Sequence, residues 1–125
     1  MPDHQLLEIF DTPCDQPFVI EHVSDEFTSL CPITGHPDFG SVILRYSPAA
    51  GGKCVELKSL KLYYQSFRNE GIFYEAVTNR IRDDLVGVMG EVRWLQVITD
   101  WKGRGGIRSR IIADYGEVPD EWKTK

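Results

Sequence analysis

A thiol and a carboxyl stand seven residues apart in Cys31-Pro32-Ile33-Thr34-Gly35-His36-Pro37-Asp38-Phe39-Gly40. Two prolines and two glycines make this stretch a rigid, irregular loop rather than a strand or a helix. A thiol nucleophile needs a partner that handles protons, and a Cys and an Asp on one stiff loop supply that pair. The same types also suit a small buried thiol and a turn aspartate, and His36 offers a Cys/His hydrolase pairing instead. A second constellation is Glu56-Leu57-Lys58-Ser59-Leu60-Lys61-Leu62-Tyr63. Lys58 and Lys61 lie three apart at the start of a helix, where the dipole disfavours cations. An anion shared between them resolves the misfit, with helix N–H groups and two ammonium groups forming a phosphate site; a solvated lysine face is the plainer alternative.

Two further segments carry weaker signals. Glu75 falls in the first turn of a second helix, where the dipole alone favours an acid. Its two oxygens can also accept two donors from a guanine-like edge, and Phe73 can cover such a ring, although its spacing suits the core. Arg104-Gly105-Gly106 is a glycine-rich turn that lets backbone and guanidinium approach a phosphate. No His or Cys spacing suits a metal, and none is expected.

The elements that must position these residues follow from periodicity. Strands are expected over 18–23, 41–46 and 54–57. Leu60, Tyr63, Tyr64 and Phe67 recur at i, i+3, i+4 and i+7, one face of a helix with Ser59 as its N-cap. Asn69-Glu70-Gly71 breaks it. Phe73, Val77, Ile81 and Leu85 carry a second helix to about residue 88, and Gly90 ends it. Strands over 92–98 and 107–112 close the chain across a turn at 102–106. This order predicts an α+β domain, helices layered on one face of an antiparallel sheet. Such a sheet keeps free edges, and with Trp94 and Trp101 in or near exposed strands, edge-to-edge assembly into a ring is expected. Residues 1–17, with Pro2, Pro13 and Pro17, read as a loose lead-in, and 18–125 as one domain.

Composition limits the function classes. A chain of 125 residues, 42% hydrophobic, suits one compact domain. The net charge of −5 argues against nucleic-acid binding through phosphates as the main task. Three cysteines without CxxC spacing argue against a disulfide framework or a zinc ribbon. No apolar run approaches the roughly 20 residues of a membrane span, and the N-terminal residues lack signal-peptide character; a cytoplasmic protein is expected.

Together the segments closely resemble the single-module 7-cyano-7-deazaguanine reductases, the QueF family of queuosine biosynthesis. ELKSLKLY matches the family's reductase motif, EFTSLCPITGHPDF its catalytic loop, and Phe73-Tyr74-Glu75 its substrate-binding segment. The resemblance implies a tunnelling fold (T-fold), with a four-stranded antiparallel sheet and two helices per subunit, assembled into rings, often two stacked pentamers, with active sites between subunits. It implies that Cys31 attacks the nitrile of 7-cyano-7-deazaguanine to form a thioimidate and that Asp38 donates the proton. Two NADPH molecules, used in turn, would give the primary amine. Lys58, Ser59 and Lys61, with Arg104, would hold NADPH; Glu75 would anchor the deazaguanine edge beside Phe73 and Tyr74. The chain departs at Tyr74, commonly His in the family, and at His36, commonly Gln. Two other readings compete: a tunnelling-fold amidinotransferase acting on tRNA, and a purine- or pterin-binding ring protein without chemistry.

Overall fold

The computed structural model describes residues 2–123, so residues 1, 124 and 125 of the ranges above lie outside it. Six strands and two α-helices follow in the order β1 (Ile9–Asp11), β2 (Ile20–Leu30), β3 (Pro37–Pro48), β4 (Lys53–Val55), α1 (Leu57–Gln65), α2 (Tyr74–Met89), β5 (Val92–Arg104) and β6 (Ile107–Gly116). The main sheet is antiparallel, in the order β2-β3-β5-β6, and β1 pairs with β4 in a separate two-stranded sheet. This is the expected α+β layering.

Alternation along the strands decides which face the helices cover. Val42, Leu44 and Tyr46 of β3 and Leu95 and Val97 of β5 are fully buried in one core cluster. Leu60, Tyr63, Tyr64 and Phe67 meet them from α1, and Val77, Ile81, Leu85 and Met89 from α2. The opposite face carries a polar row across all four strands. Arg45 Nε donates to Glu21 at 2.6 Å and its Nη1 to Gln96 at 3.2 Å, while Gln96 Nε2 donates to Asp114 at 3.1 Å. Trp122 covers this row, with the Arg45 guanidinium 5.2 Å from its ring centre and Trp94 beside it.

Four local expectations are corrected. Residues 31–40 are not all loop, because Pro37 already opens β3 against Leu30. The strand expected at 54–57 is Lys53–Val55, and it joins β1 rather than the main sheet. The first seventeen residues are not loose throughout: Ile9 pairs with Val55, Leu7 is buried, and Glu8 bonds to both Ser59 and Glu56. A three-residue strand is too short to show a period, which is why it escaped the sequence reading. The N-cap of α1 is Glu56, not Ser59. Its carboxylate accepts from the Lys58 and Ser59 amides at 2.8 Å each. That carboxylate occupies the helix N–H groups otherwise free for a phosphate, and it offsets the unfavourable placing of two lysines near the positive helix end.

Candidate active site

The end of β2 is clamped from the side. Leu30 N–H donates to Glu70 O at 2.9 Å and Ile72 N–H returns to Leu30 O at 3.1 Å. This brings the segment before α2 against the last residue of β2, so Cys31 emerges beside Phe73, Tyr74 and Glu75. The chain then turns within six residues. Cys31 N–H donates to His36 O at 2.8 Å, Gly35 N–H donates to Cys31 O at 2.8 Å, and Gly35 takes the left-handed φ of 74° that the turn requires. His36 N–H donates to Thr34 Oγ1 at 3.2 Å.

This turn sets the chemistry of the thiol. The Thr34 amide, the Thr34 hydroxyl and the Ile33 amide all donate toward the Cys31 sulfur, and Arg104 adds a smaller contribution. Donors stabilise the thiolate, so the Cys31 pKa falls to about 7 against the opposing effect of burial. The residue is 8% exposed.

Asp38 lies on β3 opposite Ser29, and its side chain is almost wholly buried. Three donors converge on its Oδ1: Arg104 Nε at 2.9 Å, Arg104 Nη2, and Tyr74 Oη at 3.1 Å. Thr28 Oγ1 fixes its backbone by donating to Asp38 O at 2.7 Å. Tyr74 is held in turn. Its ring stacks on Trp101 with centroids 4.0 Å apart and planes 6° apart. Trp101 lies flat on β3 because residue 40 is glycine: a Cβ there would meet Asp100 O at 2.8 Å and the Trp101 ring at 2.9 Å. Behind the stack runs a buried relay. Trp101 Nε1 donates to Thr99 at 2.8 Å, Thr99 and Thr78 hydroxyls lie 2.6 Å apart, and Thr78 donates to Tyr74 O at 2.9 Å. Because the Thr78 proton is committed to that carbonyl, Thr99 is the donor of the middle bond. Burial, followed by the nearby Asp38 charge, raises the Tyr74 pKa, which keeps it a donor.

A cavity of about 320 Å³ joins these groups, lined by Cys31, Asp38, Phe73, Tyr74, Glu75 and Arg104, with Pro32 to Thr34 and Ile72 completing the wall. It is the size and mixture of apolar and polar groups that a small heterocycle needs. Phe73 is 55% exposed at the mouth. Its apolar spacing suggested a core position, but it is the N-cap of α2 and precedes the buried stripe that begins at Val77. Glu75 lies in the first turn of α2.

The other candidates lie elsewhere. Lys58 and Lys61 open onto a second groove of about 510 Å³ between α1 and β2. Ser59 is 1% exposed, with its hydroxyl bonded to Glu8 and Glu56, so it braces the base of α1 instead of facing that groove. Arg104 belongs to the thiol pocket, not to the lysines, because the β5 strand extends to residue 104 and carries it over Asp38. His36 acts on Cys31 through its backbone carbonyl. Sequence reasoning missed Thr34, whose hydroxyl in a Pro/Gly turn beside a cysteine was the available signal. It also missed the relay of Thr78, Thr99 and Trp101, for which sequence spacing gives no sign. Among the described residues, no cluster of His, Cys, Asp or Glu could hold a metal.

A family model described as QueF-like protein matches residues 37–120. The NADPH-dependent 7-cyano-7-deazaguanine reductase of Pelodictyon phaeoclathratiforme is 52% identical over 114 residues, 90% of this chain and 96% of that protein. The reductase of the same name from Chlorobium phaeobacteroides is 53% identical over 118 residues, 94% of this chain and 98% of that protein. The crystal structure of an archaeosine synthase QueF-Like in the apo form superposes with a TM-score of 0.73 over 83% of this chain and 99% of that one; at 19% identity this shows a shared fold. By family model and by relatives matched along nearly their whole length, the chain belongs to the QueF-like protein family.

Proposed function

We propose that this protein is an NADPH-dependent nitrile reductase that converts 7-cyano-7-deazaguanine to 7-aminomethyl-7-deazaguanine, a step of queuosine biosynthesis. One observation carries the reading: a thiol with a pKa of about 7 shares a small cavity with an ion-paired carboxylate and with Glu75. The relatives named as reductases support the choice of substrate and cofactor.

The chemistry follows from the placing of the residues. Glu75 accepts the donors of the deazaguanine edge and Phe73 covers the ring, which directs the nitrile toward Cys31. The Cys31 sulfur adds to the nitrile carbon. One C–N π bond opens, and the nitrogen takes a proton from Asp38, which has received the thiol proton. Net addition of S–H across the nitrile gives a thioimidate. NADPH, when bound, supplies hydride, and two equivalents carry the carbon from nitrile to amine. Asp38 would supply a proton to the nitrogen with each hydride; between the two, the nitrogen lone pair would expel the Cys31 thiolate, breaking the C–S bond and leaving an imine that the second hydride reduces to the amine. Arg104 and Tyr74 hold Asp38 in place throughout, and the low pKa of Cys31 makes it a competent leaving group.

The α1–β2 groove fits the phosphates of such a cofactor by its donor set. Lys58 and Lys61 both line it, and Leu57, Leu60 and Tyr64 give the groove an apolar floor. Ser59 serves this site indirectly, by tying Glu56 and Glu8 beneath the two lysines.

We also infer a homo-oligomer built edge to edge as two stacked pentamers. The outer strands β2 and β6 support it, with Val23 55% and Ile107 71% exposed. Three free cysteines, one a nucleophile, suit a reducing compartment such as the cytoplasm. The substrate is the free base rather than nucleic acid, consistent with the acidic chain.

Mass spectrometry of the protein mixed with 7-cyano-7-deazaguanine and no NADPH tests the reading. A covalent adduct at Cys31 is expected, absent in Cys31→Ser and Cys31→Ala and retained in Cys14→Ser. An adduct that forms in wild type but never consumes NADPH would transfer the reading to an amidinotransferase. No adduct at all would leave a binding protein.

A further inference from the structure

The groove that holds Lys58 and Lys61 extends well past them. Lys58, Lys61, Gln65 and Arg68 line it at steps of three, four and three residues, a single stripe along α1 and the turn that follows it. Arg68 N–H still donates to Gln65 O at 3.2 Å, so the stripe continues beyond the last helical residue. At 1.5 Å per residue, Arg68 stands about 10 Å along the axis from Lys61. The cations therefore fall into two groups, two ammonium groups at one end and one guanidinium at the other. Tyr64 lies on the wall between them, Leu60 beside the lysines, and among the described residues Glu26 is the one carboxylate lining the groove. The Tyr64 hydroxyl is buried and has no hydrogen-bond partner.

A phosphorylated dinucleotide carries two separate anionic centres, its pyrophosphate and the monophosphate on the adenosine ribose. A lysine pair serves any phosphate as point charges, whereas a guanidinium fork matches a terminal phosphate with two parallel bonds. We propose that Arg68 forms the subsite for the ribose 2′-phosphate and is the residue that makes the groove prefer a phosphorylated dinucleotide over its unphosphorylated form. This rests on reading the groove as the cofactor site, and it goes further by assigning the selectivity to a residue outside the ELKSLKLY segment.

The test is direct titration of the full chain, without turnover, with adenosine 2′,5′-bisphosphate and with ADP. Wild type should bind both. Arg68→Ala should weaken the 2′,5′-bisphosphate roughly ten- to a hundredfold, the range for a charged hydrogen-bonded contact, and leave ADP within about twofold. Arg68→Lys should recover part of the loss, because charge returns without the fork. Lys58→Ala with Lys61→Ala should weaken both ligands. In steady state, Arg68→Ala should raise KM for NADPH and leave KM for NADH and kcat unchanged. Arg68 is exposed, and an unchanged melting temperature will show that the variant folds. Equal weakening of ADP and the bisphosphate by Arg68→Ala, or no weakening of either, overturns the subsite while the lysine variants still report on the groove. If wild type binds neither ligand, or the lysine pair can be removed without effect, the cofactor groove itself is wrong and the subsite fails with it.

Discussion

Replacing Thr34 by valine removes the one side-chain hydroxyl that donates to the Cys31 sulfur while keeping the Thr34 amide and nearly the same volume. The Thr34 amide and hydroxyl and the Ile33 amide together bring the thiol to about 7, against roughly 8.5 for a free cysteine. At pH 7 that raises the thiolate fraction from about 3% to about half, roughly 16-fold. Intrinsic nucleophilicity falls with pKa at a slope of about 0.4–0.5, which returns about fivefold over the same interval. The net gain in rate at pH 7 is thus only about threefold, so the rate alone is a weak witness. The midpoint of the pH profile is the stronger one. The assay is alkylation by iodoacetamide followed by peptide mass spectrometry in a Cys14→Ser background, since Cys14 is exposed and Cys54 is buried. Wild-type Cys31 should show a midpoint near pH 7. Thr34→Val should move it upward but keep it below 8.5, because both amides and Arg104 remain. Thr34→Ser, which keeps the hydroxyl, should stay near 7. A wild-type midpoint at 8.5 or above, or identical midpoints for the valine and serine variants, would refute the account of how this turn activates the thiol.

Two other substitutions separate the remaining roles. Asp38→Asn keeps the shape but loses the ion pair with Arg104 and the transferable proton; adduct formation should persist in part while turnover falls about 10²–10⁴-fold, and an unchanged kcat would move the acid elsewhere. Glu75→Gln sets a donor against a donor of the deazaguanine edge, at about 1–3 kcal/mol; a titration showing unaltered affinity for 7-cyano-7-deazaguanine would remove Glu75 from that role.

Much of the molecule was legible in the chain itself. The change from period two to period 3.6 between Tyr46 and Leu60 is local chemistry, and it located the main strands and both helices. Motif residues with unusual neighbours, Cys31 between Leu30 and Pro32 and Lys58 beside Lys61, were visible for the same reason. What the sequence could not carry was anything made by distant segments meeting. Arg104 was assigned to a phosphate because its glycine neighbours suggested a loop; only the pairing of β5 with β3 brings it onto Asp38, 66 residues away. The family resemblance implies a cofactor role for Ser59, but Glu8, just ahead of strand β1, bonds to its hydroxyl, and no periodicity announces a three-residue strand. Phe73 has core spacing and a surface position, because a helix stripe fixes direction only after the helix has begun. The sequence by itself therefore determined the elements and the reactive residue types, which depend on near neighbours. The tertiary structure alone decided which of those residues share a cavity and what pKa the thiol takes, because burial and hydrogen bonding depend on contacts that chain separation does not encode.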